Sequence, residues 1–350
     1  MIPNIIHREV IDLPEKQLHM LRSGWGTPAI NDTIVESIVY LSDGYEVQGY
    51  IAYPRVFSTS PLTPLLKGEG RKHKLTDHDS LDSLQPEQNS VLGTHDESLA
   101  SSPSNKTSTL IPPSPFRRGA GGEVGEWTGG EVLPCIVWNR GGSKERGAID
   151  KFTARGMYGQ LASWGFVVFA SMYRASFNDE LHDEFGGSDV NDILNLMEIA
   201  KDIPFADTSR WAMEGWSRGG MMTYLALKKR HDIKAAIISG GITDVAECCT
   251  TVPRIQEALQ QLVESEGTAA YEKRSALNFA HELPKDCKYL LIHGTKDDVV
   301  SPLQSIKISE NFLKLGLHFR LVLLEEADHF LKGKKKIVDE LRREWLLKYV

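Results

Sequence analysis

Along most of the chain, unbroken runs of apolar residues alternate with stretches that are apolar at helical spacing. Val132-Leu-Pro-Cys-Ile-Val-Trp138, Phe166-Val-Val-Phe-Ala-Ser-Met172, Ile233-Lys-Ala-Ala-Ile-Ile-Ser239, Lys288-Tyr-Leu-Leu-Ile-His293 and Phe319-Arg-Leu-Val-Leu-Leu324 are of the first kind. A strand that is apolar on both sides has both sides covered, as in a parallel sheet. Between these runs the pattern predicts helices. One follows residue 138 and ends at about Ala162, with Gly165 to stop it; another, Asp189 to Lys201, carries Val190, Ile193, Leu194, Leu196 and Met197 on one stripe. Further helices are predicted at about 253–265, at 302–315 and from 335 onward. The alternation reads as an α/β fold, a mostly parallel sheet with helices on both faces. Reactive groups in such sheets lie on loops at the carboxyl ends of the strands.

Upstream the pattern differs. Ser37 to Tyr53 holds two β-rich runs flanking Asp43-Gly44, a strong hairpin signal. Residues 1–30, with Pro3, Pro14 and Pro28 interrupting any long element, read as an N-terminal extension on the main domain. From about Phe57 to Thr128 the chain is rich in Ser, Thr, Pro, Gly and mixed charges, and its apolar residues have no period. Such composition predicts a disordered or loosely attached insert. Within it Pro61–Gly70 and Pro113–Gly122 resemble each other loosely, and His73, His78 and His95 read as solvated loop rather than metal ligands. The expected organisation is therefore an extension (1–30), the start of the domain as a β-hairpin (31–56), the insert (57–128) and the main part of the domain (129–350).

Composition sets bounds on function. With 350 residues, 41% of them hydrophobic, the chain can bury a large core. A net charge of −7 argues against nucleic acid as a partner. No stretch has the length of a membrane span and the start lacks a signal-like apolar run, so a cytoplasmic protein is expected. Four cysteines (Cys135, Cys248, Cys249, Cys287) have no metal or redox spacing and read as free thiols. No metal or organic cofactor is expected.

The candidate chemistry begins at Trp211-Ala-Met-Glu-Gly-Trp-Ser217-Arg-Gly-Gly-Met-Met222. A short strand ends at Gly215, a sharp turn carries Ser217, and a helix runs to about Lys229, which is the layout of a nucleophile elbow. The N–H of Arg218, at the start of that helix, is placed to receive charge on a carbonyl oxygen. A serine hydroxyl needs a base to take its proton and an acid to hold that base. Asp297 follows the strand ending at His293, and His329 follows the strand ending at Leu324, so both fall on the same sheet edge as Ser217. Asp298 and Asp244 remain alternatives for the acid. His293 reads as a structural residue at a strand end.

These residues resemble the catalytic domain of the prolyl oligopeptidase family. Gly215-Trp-Ser217-Arg-Gly-Gly220, Leu290-Leu-Ile-His-Gly-Thr-Lys-Asp297-Asp-Val-Val and Asp328-His329 match it in order and spacing, and Gly186-Gly-Ser-Asp189-Val-Asn-Asp192 is similar to a further family run. The resemblance implies an α/β-hydrolase with Ser217, Asp297 and His329 as its catalytic set. Three departures stand out. Peptidases of this family usually carry a β-propeller, which no stretch here predicts. The family's oxyanion Tyr is replaced within Trp138-Asn139-Arg140-Gly141-Gly142, so the second oxyanion donor is expected from a backbone amide there or from the side chains of Asn139 or Arg140. Arg218 replaces a Tyr often found after the nucleophile.

The reading is a serine peptidase that cleaves a short peptide or small molecule through an acyl-enzyme. A carboxylesterase and an inactive ligand-binding homologue remain open, as does the oligomeric state. The loop from Tyr173 to Glu184 is expected to border the site, where its acids would favour a cationic group. Residues 242–280 are expected to cap the pocket.

Overall fold

The computed structural model describes residues 4–57, 131–178 and 180–350, so the 57–128 insert, with its histidines and its two similar pieces, lies outside the described residues apart from Phe57. The strands are β1 (Ile5–Val10), β2 (Thr33–Ser42), β3 (Tyr45–Pro54), β4 (Leu133–Asn139), β5 (Val167–Ser171), β6 (Ala206–Trp216), β7 (Ile233–Ser239), β8 (Lys288–Gly294) and β9 (His318–Leu324). They form one sheet in the order β1-β2-β3-β5-β4-β6-β7-β8-β9. From β5 to β9 every neighbouring pair is parallel, and β1, β2 and β3 add antiparallel strands at one edge.

The central strands read as unbroken apolar runs because helices cover both sides. On one face α3 (Lys151–Ser163) and α11 (Lys335–Tyr349) pack with Ile136, Trp138, Val168, Ile237, Leu290 and Trp345. On the other, α4 (Val190–Ile199), α5 (Arg218–Lys229) and α10 (Leu303–Leu315) pack with Val137, Phe169, Met213, Ile238 and Leu291. Among the described residues edge strand β9 has no strand neighbour on one side, and most of its residues are only partly buried. Asp43 and Gly44 take φ of 50° and 89° between β2 and β3, the left-handed pair that a two-residue hairpin turn needs.

The N-terminal residues are more ordered than a run broken by prolines suggests. Pro14 immediately precedes α1 (Glu15–Trp25), and Pro28 opens α2 (Thr27–Asn31). A proline lacking its N–H fits the start of a helix, where that donor has no partner. Arg155 of α3 donates to the carbonyls of Ala29 at 2.9 Å and Thr33 at 3.2 Å, and also to Ile30, fastening this segment down. Four helices, α6 (Val245–Thr251), α7 (Pro253–Glu266), α8 (Ala269–Glu272) and α9 (Ala276–Phe279), lie between β7 and β8.

From β4 the chain crosses to β5 on one side, and it returns to β6 on the other. Such a reversal opens a crevice at the carboxyl ends of the two strands, where α/β sheets bind ligands. The turn after Asn139 and the turn at Ser217 both fall there. Among the described residues no helix is long and apolar enough to cross a membrane.

Candidate active site

Ser217 sits between β6 and α5 with φ 56° and ψ −122°, a backbone conformation that L-residues rarely adopt. The turn is tight enough to exclude side chains beside it. A methyl group at Gly215 would collide with the carbonyl of Gly219, and one at Gly219 with the carbonyl of Asn139. The N–H of Ser217 donates to the Ser239 carbonyl (2.9 Å), and its carbonyl accepts from Gly220 (2.9 Å). The elbow is thus fixed on both sides.

Asp297 follows β8 and His329 follows β9. His329 Nδ1 lies 2.7 Å from Asp297 Oδ2. The other carboxylate oxygen accepts the N–H groups of Val299 (2.9 Å) and Val300 (2.8 Å). Burial pushes the Asp297 carboxyl up, but hydrogen bonds from His293 and His329 outweigh it and hold the group well below the usual carboxylate range. An ionised carboxylate only accepts, so Nδ1 of His329 is the donor in this bond. Ser217 and His329 line one cavity of about 990 Å³. Among the described residues the Ser217 hydroxyl makes no hydrogen bond to His329.

His293, expected to be structural, touches this set. Wholly buried, it places Nδ1 2.7 Å from Ser305 Oγ, and Nε2 2.9 Å from the Val300 carbonyl and 3.2 Å from Asp297 Oδ2. The other acid candidates lie elsewhere: Asp244 caps α6 by accepting the Glu247 N–H (3.0 Å), while Asp298 lines a separate small pocket with Thr251, Val252, Pro253 and Val299.

The expected side-chain donors near Asn139 need correction. All five N–H groups of the Arg140 guanidinium are taken by the protein: Met172 O at 3.0 Å, Gly141 O at 2.9 Å, Arg146 O at 3.3 Å, Lys144 O at 2.7 Å, and Ser176 Oγ. Burial, with the charge of Arg218 nearby, pushes the Arg140 group down to about 10. Asn139 Nδ2 donates to Thr223 Oγ1 on α5 (2.9 Å). Neither residue lines the cavity; Gly141 and Gly142 do. A Cβ built on Gly141 would lie 3.3 Å from the Ser217 Cβ and 3.9 Å from its Oγ. Among the described residues, no protein acceptor takes the backbone N–H of Gly141 or of Arg218.

Arg218 also has a side-chain role that its sequence context did not disclose. Its guanidinium donates to Asp183 Oδ1 (2.6 Å) and Oδ2 (2.7 Å), to Asp189 Oδ2 (2.6 Å) and to the Gly142 carbonyl (2.9 Å). Asp183 further accepts from Ser143 Oγ (2.7 Å) and the Lys144 N–H (3.0 Å). Burial acts to raise the Asp183 carboxyl, yet the Arg218 charge and hydrogen bonds bring it well below its ordinary value. Asp189 goes the other way, pushed up by burial and by the charge of Asp183, because two carboxylates share one guanidinium. Asp192 of the same motif pairs instead with Arg174 Nη2 (2.7 Å). Of the loop acids, Asp183 is committed to Arg218 and Glu184 accepts from Ser188 N–H and Oγ (2.6 and 2.7 Å), while Glu180 is exposed and Asp179 lies outside the described residues. Of the cap segment, Ile242, Ile255 and Glu257 line the cavity.

Comparison with known proteins gives the family of the chain. Residues 157–350 match the prolyl oligopeptidase family. The chain is 26% identical over 217 residues to the uncharacterized peptidase YtmA of Bacillus subtilis, covering 60% of this chain and 82% of that one. It is 29% identical over 144 residues to dipeptidyl peptidase 4 of Felis catus, covering 41% of this chain but 19% of that protein. An acylaminoacyl peptidase from Pyrococcus horikoshii superposes with a TM-score of 0.60 at 18% identity, over 90% of this chain and 41% of that one. The chain thus spans about a fifth to two fifths of these two larger relatives. The chain belongs to the prolyl oligopeptidase family, and its mostly parallel sheet is the α/β-hydrolase domain of that family of serine-type peptidases.

Proposed function

We propose that the chain hydrolyses amide bonds of short peptides, with Ser217 as nucleophile, His329 as base and Asp297 as its orienting acid. One observation carries the proposal: a buried Asp297–His329 hydrogen bond of 2.7 Å in the same cavity as a serine held on a positive-φ elbow. Rotation of the Ser217 side chain toward His329 starts the reaction. Its hydroxyl proton passes to Nε2 as Oγ bonds to the substrate carbonyl carbon, and charge gathers on the carbonyl oxygen. The Arg218 N–H and a backbone N–H of the turn after Asn139, foremost that of Gly141, hold this oxygen; loss of one such donor costs about 3 kcal/mol. His329 then protonates the leaving nitrogen, and the C–N bond breaks. Water gives a proton to His329 and attacks the acyl carbon, and Ser217 recovers its proton as the acid product leaves. Asp297 stabilises the imidazolium that forms twice in this cycle.

A second reading, a carboxylesterase, is favoured by the many apolar residues lining the cavity, among them Trp25, Trp138, Phe152, Trp216 and Ile242. The test uses a fluorophosphonate probe with two substrate series, p-nitrophenyl acyl esters and aminoacyl anilides including a prolyl one. The wild type is expected to label and to turn over anilides, and Ser217→Ala to lose both by at least 10³-fold. Labelling that persists in Ser217→Ala would refute the serine assignment. Ester turnover with no anilide turnover would transfer the proposal to the second reading.

A further inference from the structure

The cavity at Ser217 has walls drawn from both faces of the sheet. Phe185, Ile242, Ile255 and Val299 belong with the α4, α5 and α10 face. The other wall is built differently. Ile149, Met157 and Trp216 pack with the α3 and α11 face, and Trp25 and Phe152 pack where α1 and α2 meet α3. Met20 of α1, 42% exposed, adds to this wall. Among the described residues these are large apolar side chains partly exposed to one cavity, an arrangement that favours an apolar occupant.

The chemistry decides which part of a substrate would enter. His329 must hand a proton to the leaving nitrogen, so that atom comes within hydrogen-bond reach of Nε2. The Nδ1 edge of the ring faces Asp297, and a Cβ at Gly240 would lie 3.5 Å from it. Phe330 stands edge-on to His329, with ring centroids 5.5 Å apart. Lys335, which lines the same cavity, places its ammonium 4.3 Å from the centre of the Trp25 ring, so the segment from His329 to Lys335 borders the cavity together with the α1 wall.

We propose that the wall formed by α1, the start of α3 and Phe330 is a leaving-group subsite that selects substrates with a bulky apolar residue on the amine side of the cleaved bond. This rests on the reading of Ser217 and His329 given above. The N-terminal segment then contributes to specificity as well as to the sheet edge.

The test holds the acyl part of the substrate constant and varies the leaving amine among glycinamide, leucinamide and phenylalaninamide, with a fluorophosphonate probe reporting on Ser217. A single extra apolar group in a pocket is worth about tenfold or more. The wild type is therefore expected to favour phenylalaninamide over glycinamide in kcat/KM by at least about tenfold, or ~1.4 kcal/mol. Met20→Asp, at an exposed position where a carboxylate is tolerated, and separately Met157→Asp are expected to reduce that ratio about tenfold. Val10→Asp, on β1 away from the cavity, is expected to keep it. A flat ratio in a wild type that labels at Ser217, or a ratio that persists in both methionine variants, would overturn the subsite and leave the hydrolase reading intact. A wild type that neither labels nor cleaves would remove that reading, and the subsite with it.

Discussion

Ser217 holds a conformation that costs an L-residue about 1–3 kcal/mol, and the hydrogen bonds to Ser239 and Gly220 keep it there. Asp297 shows the same economy at a charged group. Its carboxylate is buried, yet it stays ionised because two imidazoles and two backbone N–H groups surround it. Its value in the folded chain is below that of an unfolded carboxylate, near 3.9, so it stabilises the fold fully above about pH 5. That stabilisation is lost as pH falls through 3.9 toward the folded value. Asp297→Asn is accordingly expected to lower the unfolding free energy at pH 7 by about 2 kcal/mol, with the gap to wild type closing below pH 4. Urea midpoints from pH 7 to pH 3 check this, and a gap that is constant with pH would assign the loss to packing rather than charge. The roles proposed for Ser217, Asp297 and His329 were legible in the sequence, since each follows an apolar run that ends at one sheet edge. The contact of His293 with Asp297 was not. A histidine before a glycine at a strand end looks alike whether its ring faces solvent or a carboxylate, and only the fold brings Ser305 and Val300 around it.

At the level of elements, three segments meet at one guanidinium. Arg218 belongs to α5, Gly142 to the turn after β4, and Asp183 and Asp189 to the loop between β5 and α4. The pairing fixes the Gly141–Gly142 turn against the elbow, so the spacing between the two proposed oxyanion donors depends on a buried ionic cluster. Removing one partner of such a cluster leaves a charge without compensation, which costs about 3–5 kcal/mol. Asp183→Asn is expected to destabilise the chain by about 3 kcal/mol and to lower kcat at least tenfold with little change in KM, because the ground state uses the oxyanion donors less than the transition state does. Denaturant unfolding together with steady-state kinetics on the anilide series measures both. An unchanged kcat in the folded variant would show that the turn keeps its place without the charge. The strands and helices of this region were readable from periodicity because burial on both faces leaves a continuous apolar record. The cluster was not, since Asp183 lies 35 residues and Asp189 29 residues from Arg218. In the sequence Asp189 and Asp192 look like ordinary carboxylates at a helix start, a position that favours them anyway. The prolines at 14 and 28 do interrupt the segment, and the sequence left unread that they also start its helices: the residue that breaks a helix inside is one that begins it well.

For the whole molecule, the question is how a domain accommodates residues 58–130 between β3 and β4. The two flanks converge on a single residue. The Phe57 ring is 4.9 Å from that of Phe205, and the Leu133 N–H donates to the Phe205 carbonyl at 2.8 Å. Phe57 and Leu133 are both buried, and the sheet between them is closed by β5, which pairs β3 on one side and β4 on the other. Both flanks are therefore anchored in the core where the segment leaves and where it returns. A flexible linker of about six Gly and Ser residues has a root-mean-square span of about 13 Å, enough to join two ends that meet at one residue. Replacing 58–130 by such a linker is expected to keep the unfolding free energy within about 1 kcal/mol and kcat/KM on the anilides within about twofold, as measured by denaturant unfolding and steady-state kinetics. Among the described residues the cavity at Ser217 is lined from α1, α3, α7 and the loops after β4, β5, β6, β7, β8 and β9, all of which the linker variant keeps. A linker variant that folds cooperatively but no longer hydrolyses would contradict this, and would mean that part of the 58–130 segment reaches the substrate.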